Sequence, residues 1–257
     1  MSNTRLPRWL EEIPPVTRNL IIINVLLWLV CIIIPGFGAR LIDTLGLHYV
    51  GARGFNPVQI ISYMFLHDTG SIFHLLFNMF TLWMFGRVLE RVWGSRRYLL
   101  FYMICGVGAA VVQEAVWALT VNHDYISGIA RLNGMTYDTM QSIVDQARAQ
   151  GNMQFAQGLA AYEQSMLTIG ASGAIFGLLL GFAFVFPDMP LYLFFIPVPI
   201  KAKWMVIGYG VLEFFLGVSN SGGTIAHFAH LGGMLFGLIL LLYWRHKGTL
   251  RGGGFYY

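Results

Sequence analysis

The sequence predicts an all-α polytopic membrane protein, a bundle of six spanning helices. Three observations carry this. Of 257 residues, 56% are hydrophobic and only 11% charged, where soluble domains run to about 25% charged. Mean hydropathy is +0.63. The apolar residues also fall into six runs near the length a spanning helix needs, about 20 residues.

Residues 1–17 form a short polar lead with Pro14 and Pro15, too small to be a domain. The first run, 18–35 (RNLIIINVLLWLVCIIIP), lacks an A-x-A-like cleavage site and is followed by further spans, so it reads as a retained helix rather than a signal peptide. A loop of about 36–70 follows, holding glycines, Pro57 and aromatics, part of which could dip into the membrane if buried against protein. The second and third runs are 71–89 and 98–119. A polar segment, about 120–168, interrupts the pattern. Met140, Ile143, Val144 and Ala147 recur there at helical spacing, so it predicts an extramembrane helical hairpin broken near Gly151. It fits a solvated hairpin or a docking surface, and nothing in it selects a ligand. The last runs are 169–187, 202–218 and 225–244, and residues 246–257 form a basic, glycine-rich tail. The spanning unit is thus 18–245.

Orientation follows from lysine and arginine in the short loops. With the N-terminus inside, Arg5, Arg8, Arg18, Arg87, Arg91, Arg96, Arg97, Lys201, Lys203, Arg245, Lys247 and Arg251 share its side, leaving Arg40, Arg53, Arg131 and Arg148 outside. Both termini are therefore expected in the cytoplasm. The net charge of +4 reports this topology and is no nucleic-acid footprint. Cys31 and Cys105 lie within apolar runs and suggest no disulfide framework. A compact chain with no organelle-targeting lead suggests a bacterial plasma membrane. The lipid bilayer is the one partner that composition names, and oligomeric state leaves no signal.

Polar groups inside spanning helices are costly and mark function. His74 and Asn78 share a face of the second run, four residues apart. Ser172 opens the fourth, where free N–H groups and the positive end of the helix dipole can stabilise an oxyanion. His230 lies in AHLGG on the sixth. All three helices bring these groups to one membrane level, toward the outer face. Gly170 and Gly173 let the backbone bend and approach closely. Gly173/Gly177/Gly181 and Gly233/Gly237 give both helices the small-xxx-small spacing that permits contact, bringing an imidazole to a hydroxyl. That pairing makes a nucleophile and its base. No acid lies near the outside ends of these three helices, so a two-residue machine is expected. Phe176, one turn below Ser172, can hold the imidazole by stacking. The amide of Asn78, the imidazole of His74 and the N–H of Ser172 are natural oxyanion donors.

These residues resemble the rhomboid intramembrane serine proteases. The matching pieces are GASG (170–173), AHLGG (229–233), FLH…HLLFN (65–78) and the turn ERVWGS (90–95). The resemblance implies Ser172 as nucleophile, His230 as base, and His74 and Asn78 lining the oxyanion hole. It implies transmembrane proteins, single-span or other, as substrates, and no cofactor. Several rhomboids have a Trp-Arg pair in the first loop, where this chain reads Val58-Gln59.

Other readings compete. His227 rivals His230 as base, though its context fits a loop-end or water-facing residue better. His67 reads as a structural tie from the first loop to the second span through a side-chain hydrogen bond. A metal site of His67, His74, His227 and His230 lacks an HExxH or HxxEH pattern and a nearby carboxylate, so no metal is expected. Glu114 and Glu213 suit a transporter's proton path or hydrogen-bonded packing, but the chain shows no repeat of its halves. A non-proteolytic relative that binds membrane clients usually lacks the serine or the histidine, and both are present here.

Overall fold

The computed structural model describes residues 13–192, 198–219 and 226–249. Most of the lead 1–17, residues 250–257 of the tail, Arg5, Arg8, Arg251 and the first residue of the sixth run lie outside the described residues.

Helix α1, Pro15–Ile33, begins with proline at its first turn and has no cap of its own. Its free N–H groups instead meet the buried carboxylate of Glu90, which accepts from Val16 N–H (3.0 Å), Thr17 N–H (2.7 Å) and the Thr17 hydroxyl (2.8 Å). The Ser95 hydroxyl completes the set at 2.6 Å. A negative charge at a helix N-terminus satisfies orphan donors and faces the favourable end of the dipole. The ERVWGS turn is thus a clamp on the first helix.

The loop expected over 36–70 is folded. Helix α2, Pro35–Leu45, leads to strand β1, Leu47–His48, then to the short helix α3, Gln59–Ser62, and a 3₁₀ turn, Tyr63–Phe65. The Gln59 side chain accepts from His48 N–H (3.2 Å) and donates to the carbonyls of Thr44 (3.0 Å) and Gly54 (2.8 Å). This buried amide pins the loop at the position read as Val58-Gln59. Helix α4, Ile72–Trp93, passes through a π-helical turn at Leu82–Gly86. Gly94, at φ +77°, turns the chain into helix α5.

Helix α5, Ser95–Leu132, has 38 residues and overruns the expected end at 119. Residues 120–132 contain no proline, and Gly128 keeps helical backbone, so the helix stops only at Asn133 and Gly134, whose φ is +64°. Helices α6, Tyr137–Ala149, and α7, Gln154–Ser165, follow, separated at Gly151 (φ +72°). The extension of α5 and these two helices share a small core of Ile126, Ala130, Met140 and Val144 with Phe155. Of the four residues placed on one face of α6, Met140 and Val144 are buried and Ile143 is exposed.

Strand β2, Leu167–Thr168, pairs antiparallel with β1. Helix α8, Ser172–Val185, follows, then a hairpin of β3, Pro190–Tyr192, and β4, Pro199–Lys201. Asp188 there meets Lys203 (2.8 Å) and Lys201 (3.0 Å), and these hydrogen bonds hold its carboxyl below the ordinary range. Helices α9, Ala202–Val218, and α10, His227–His246, complete the bundle.

The chain is an integral membrane protein. Helices α1, α4, α5 and α10 have the length and apolarity to cross a membrane. The other two of the six expected runs form shorter apolar helices, α9 of 17 residues and α8 of 14. At 1.5 Å per residue α8 covers about 21 Å, against a hydrocarbon layer of about 30 Å. It can be short because it is surrounded by protein: Gly173, Ala174, Leu178 and Phe182 are all buried. In contrast, α1 and α9 expose Ile22, Leu26, Ile207, Val211 and Phe215, the apolar exterior expected of helices facing lipid.

The centre of the bundle is the contact of α8, α10 and α5. A Cβ at Gly233 would overlap the Gly173 carbonyl, one at Gly177 would overlap the Cys105 side chain, and one at Gly173 would stand 2.5 Å from the Ala109 Cβ. The small-residue spacing is therefore used backbone to backbone. Gly233→Ala is expected to cost roughly 1–3 kcal/mol by overpacking and to lower the apparent melting temperature in detergent. Gly128→Ala, where a Cβ would meet nothing within 4 Å, should be neutral or gain roughly 0.5–1 kcal/mol of helix stability. Equal melting temperatures for the two variants would refute the close contact.

Candidate active site

The site forms where α8 begins. Its approach is fixed by β2 and by a hydrogen bond from Gly170 N–H to the Tyr63 carbonyl (2.9 Å). Tyr63 is itself tied to α5 through its hydroxyl and the Gly106 carbonyl (2.8 Å). Gly170 has φ +129°, and a Cβ there would stand 2.9 Å from His74 Nε2. Both the dihedral and the imidazole therefore require glycine. Ser172 is the first residue of α8, where backbone N–H groups have no intrahelical acceptor.

His230, in the first turn of α10, meets Ser172 across the glycine contact: its Nε2 is 2.8 Å from the Ser172 Oγ. The ring of Phe176 lies on the imidazole, centroids 4.2 Å apart and planes within 6°. Gly233 carries His230 close to Ser172 by allowing α10 to touch α8. The hydroxyl is half-buried and the imidazole buried. A hydroxyl donating to an imidazole nitrogen in such surroundings is set up for proton transfer as the oxygen attacks.

His74 and Asn78 line the α4 side. The Asp68 N–H points at His74 Nδ1 at 3.3 Å, which makes that nitrogen the acceptor. In the neutral ring the proton then sits on Nε2, the atom facing Gly170, so His74 presents a donor to the Ser172 turn. The Asn78 amide donates one hydrogen to the His74 carbonyl (2.8 Å), which leaves its second N–H.

Glu213 overturns the expectation that no acid lies near this site. Its Oε2 is 2.6 Å from His227 Nδ1 and 3.0 Å from His230 Nδ1. The 2.6 Å contact is a formed hydrogen bond, whereas the 3.0 Å contact is out of line and leaves His230 Nδ1 without a proper partner. The signal was present in the sequence: Glu213 stands five residues before Val218, the end of α9 that lies beside the start of α10. Helix α9 carries no motif, so its own residues give no pointer from Glu213 to Ser172.

Two further expectations are corrected. His227 does stand at the boundary where α10 begins, but it does not face water: it is buried at 7% exposure, with its ring against Glu213. His67 makes no side-chain hydrogen bond; its ring packs in a fully buried place against His74, centroids 5.1 Å apart. Glu114 and Glu213 have separate partners. Glu114 accepts from Val50 N–H (2.8 Å) and so anchors the first loop to α5.

Glu213, His227 and His230 are the described residues whose donor atoms lie close enough together, within 4.8 Å, to hold a metal ion. Two tetrahedral ligands at about 2.0–2.1 Å from one zinc stand about 3.3 Å apart. A separation of 2.6 Å is instead that of two atoms sharing a proton. We read Glu213 and His227 as a hydrogen-bonded pair with His230 beside them.

Gly170→Ala is expected to cost roughly 1–3 kcal/mol through its dihedral alone, with displacement of His74 in addition. Thermal unfolding in detergent measures it, and an unchanged midpoint would mean that the turn adopts another conformation.

Comparison with known proteins gives concordant results. The family described as "Rhomboid domain" matches residues 55–247. Rhomboid protein 1, mitochondrial, of Saccharomyces cerevisiae is 27% identical over 184 residues, which is 72% of this chain and 41% of that relative. The chain thus matches about two fifths of the length of that curated protein.

Proposed function

The chain belongs to the rhomboid family, and from that premise we propose that it is an intramembrane serine endopeptidase that cuts membrane proteins in or near their transmembrane segments. The observation that carries this reading is the 2.8 Å contact between His230 Nε2 and Ser172 Oγ at the first residue of α8.

The Ser172 oxygen attacks the scissile carbonyl carbon as its proton passes to His230 Nε2. The negative charge that develops on the carbonyl oxygen is met by the Ser172 N–H, the His74 Nε2–H and the free N–H of Asn78. His230 then gives the proton to the leaving amine, the peptide bond breaks, and an acyl-serine remains. A water molecule repeats the sequence: its proton goes to His230 Nε2, its oxygen to the acyl carbon, and Ser172 regains its hydrogen. Phe176 holds the imidazole plane throughout.

Hydrolysis inside a bilayer needs water at the serine. The shortness of α8 supports this, because a helix of about 21 Å that reaches one face leaves its other end below the opposite surface. We take residues 18–245 as the protease unit, with the polar helices of 120–168 outside the bilayer and no cofactor. The site end faces outward in this reading. Arg18, Arg87, Arg91, Arg96, Arg97, Lys201, Lys203, Arg245 and Lys247 are thereby assigned to the other side, against Arg40, Arg53, Arg131 and Arg148.

Purified protein incubated with a single-span substrate should yield two fragments. Ser172→Ala and His230→Ala, folded as judged by melting temperature, should each lose at least about 10⁴ in kcat. Cleavage by Ser172→Ala at the wild-type rate would overturn the proposal, and stable substrate capture without cleavage by the wild type would replace it with client binding. A helical peptide bond is shielded by its own hydrogen bonds, so the substrate must unwind locally. Glycine or proline placed beside the cut site should therefore raise kcat/KM, and a rate indifferent to them would refute the unwinding step.

A further inference from the structure

The proposed Ser-His chemistry leaves three buried groups unused: the Glu213 carboxylate, the His227 imidazole and the Nδ1 of His230. They meet at one atom. Glu213 Oε2 lies 2.6 Å from His227 Nδ1 and 3.0 Å from His230 Nδ1.

The tautomer of His230 connects them to the serine. For Nε2 to accept the Ser172 hydroxyl proton, the neutral ring must carry its own proton on Nδ1. That N–H is buried, and Glu213 Oε2 is the acceptor beside it. The two atoms are 3.0 Å apart, within hydrogen-bond distance although out of line, and the Phe176 ring lies parallel to the imidazole. When Ser172 loses its proton, His230 becomes an imidazolium with its Nδ1–H toward the carboxylate. A buried cation in a membrane protein needs such a counter-charge.

We propose that Glu213 is the positioning residue for His230, so that this chain works through a Ser-His-Glu relay rather than a pair, with His227 holding Glu213 in place. This rests on the proteolytic reading above. Glu213 does not take the proton. It fixes the tautomer and orientation of His230 and stabilises the imidazolium, while the proton travels from Ser172 Oγ to His230 Nε2 and on to the leaving amine. His227 donates its Nδ1–H to the same oxygen from the first residue of α10, and with His230 it gives that oxygen two N–H groups. Among the described residues, the titratable groups facing His230 are Glu213 from α9, His227 from its own helix and His74 from α4. Tyr209 of α9 stands edge-on beyond Phe176. Of Glu213, His227 and His74, Glu213 alone is negative when ionised.

The test compares wild type with Glu213→Gln, Glu213→Asp and His227→Phe on a single-span substrate across pH, with melting temperature as the folding control. Glu213→Gln should lower kcat by about 10²–10⁴ with KM within about threefold. It should also change the shape of the pH profile, because the counter-charge beside the imidazolium is gone. Glu213→Asp should restore part of the rate, and His227→Phe should fall between. In parallel, ¹⁵N-histidine NMR in detergent should show the Nδ1–H tautomer of His230 in wild type and a changed tautomer or titration in Glu213→Gln. A folded Glu213→Gln with wild-type kcat, pH profile and His230 spectrum would overturn the proposal. If Ser172→Ala cuts like wild type, the proteolytic reading fails by itself, and the NMR result alone decides whether Glu213 positions His230. Should Glu213→Gln fail to fold, the Asp variant and the His227 variant decide, and wild-type behaviour in both would overturn the proposal.

Discussion

Everything at the centre of this molecule depends on one contact, the seating of Gly233 of α10 against the Gly173 carbonyl of α8. In a membrane the hydrophobic effect does not press helices together, since lipid chains are as apolar as leucine side chains. Close approach must come from packing, and packing backbone on backbone requires glycine. The same two helices carry Ser172 and His230 at their first turns, so the interface that builds the bundle also brings a hydroxyl within 2.8 Å of an imidazole. Stability and chemistry share a single geometric cause. A side chain inserted at the seam acts on both.

The second constraint is that polar groups removed from water must be answered by partners. The fold meets it in a few concentrated places. Glu90 gathers four donors and holds the start of α1 to the turn after α4. Gln59 gathers three partners and folds the first loop, and Glu114 fastens the next part of that loop to α5. Each of these ties loop or helix-end backbone to a helix, leaving the apolar faces free for lipid. The cluster of Glu213, His227 and His230 obeys the rule only in part: Glu213 meets His227 Nδ1, while His227 Nε2 and His230 Nδ1 lack formed hydrogen bonds, and the other nitrogen of His230 faces Ser172.

The loop between α1 and α4 has a structural part in the site as well. Tyr63 hangs from α5 by its hydroxyl and holds Gly170 by its carbonyl, while Asp68 fixes the proton of His74 by donating to Nδ1. Nonhelical backbone at this depth is tolerated because protein surrounds it. The turn before Ser172 is thereby held on three sides, by β1, by the 3₁₀ turn and by the imidazole of His74.

The sequence by itself determined the membrane class, the six apolar helices to within a few residues except at the end of α5, the glycine seam and the pairing of Ser172 with His230. These were legible because each rests on a local rule: run length, the spacing of small residues, and the expense of a polar group in an apolar run. The extent of α5 was misread because hydropathy marks where a helix leaves an apolar layer, whereas the helix ends only where backbone conformation changes, at Gly134. Only the tertiary structure decided where Glu213 and His227 belong. Glu213 lies fourteen residues before His227 in the chain, in a helix without a motif. Its meaning arises from α9 running up beside the start of α10, and such a juxtaposition depends on how helices are arranged in space, which no spacing along the sequence encodes.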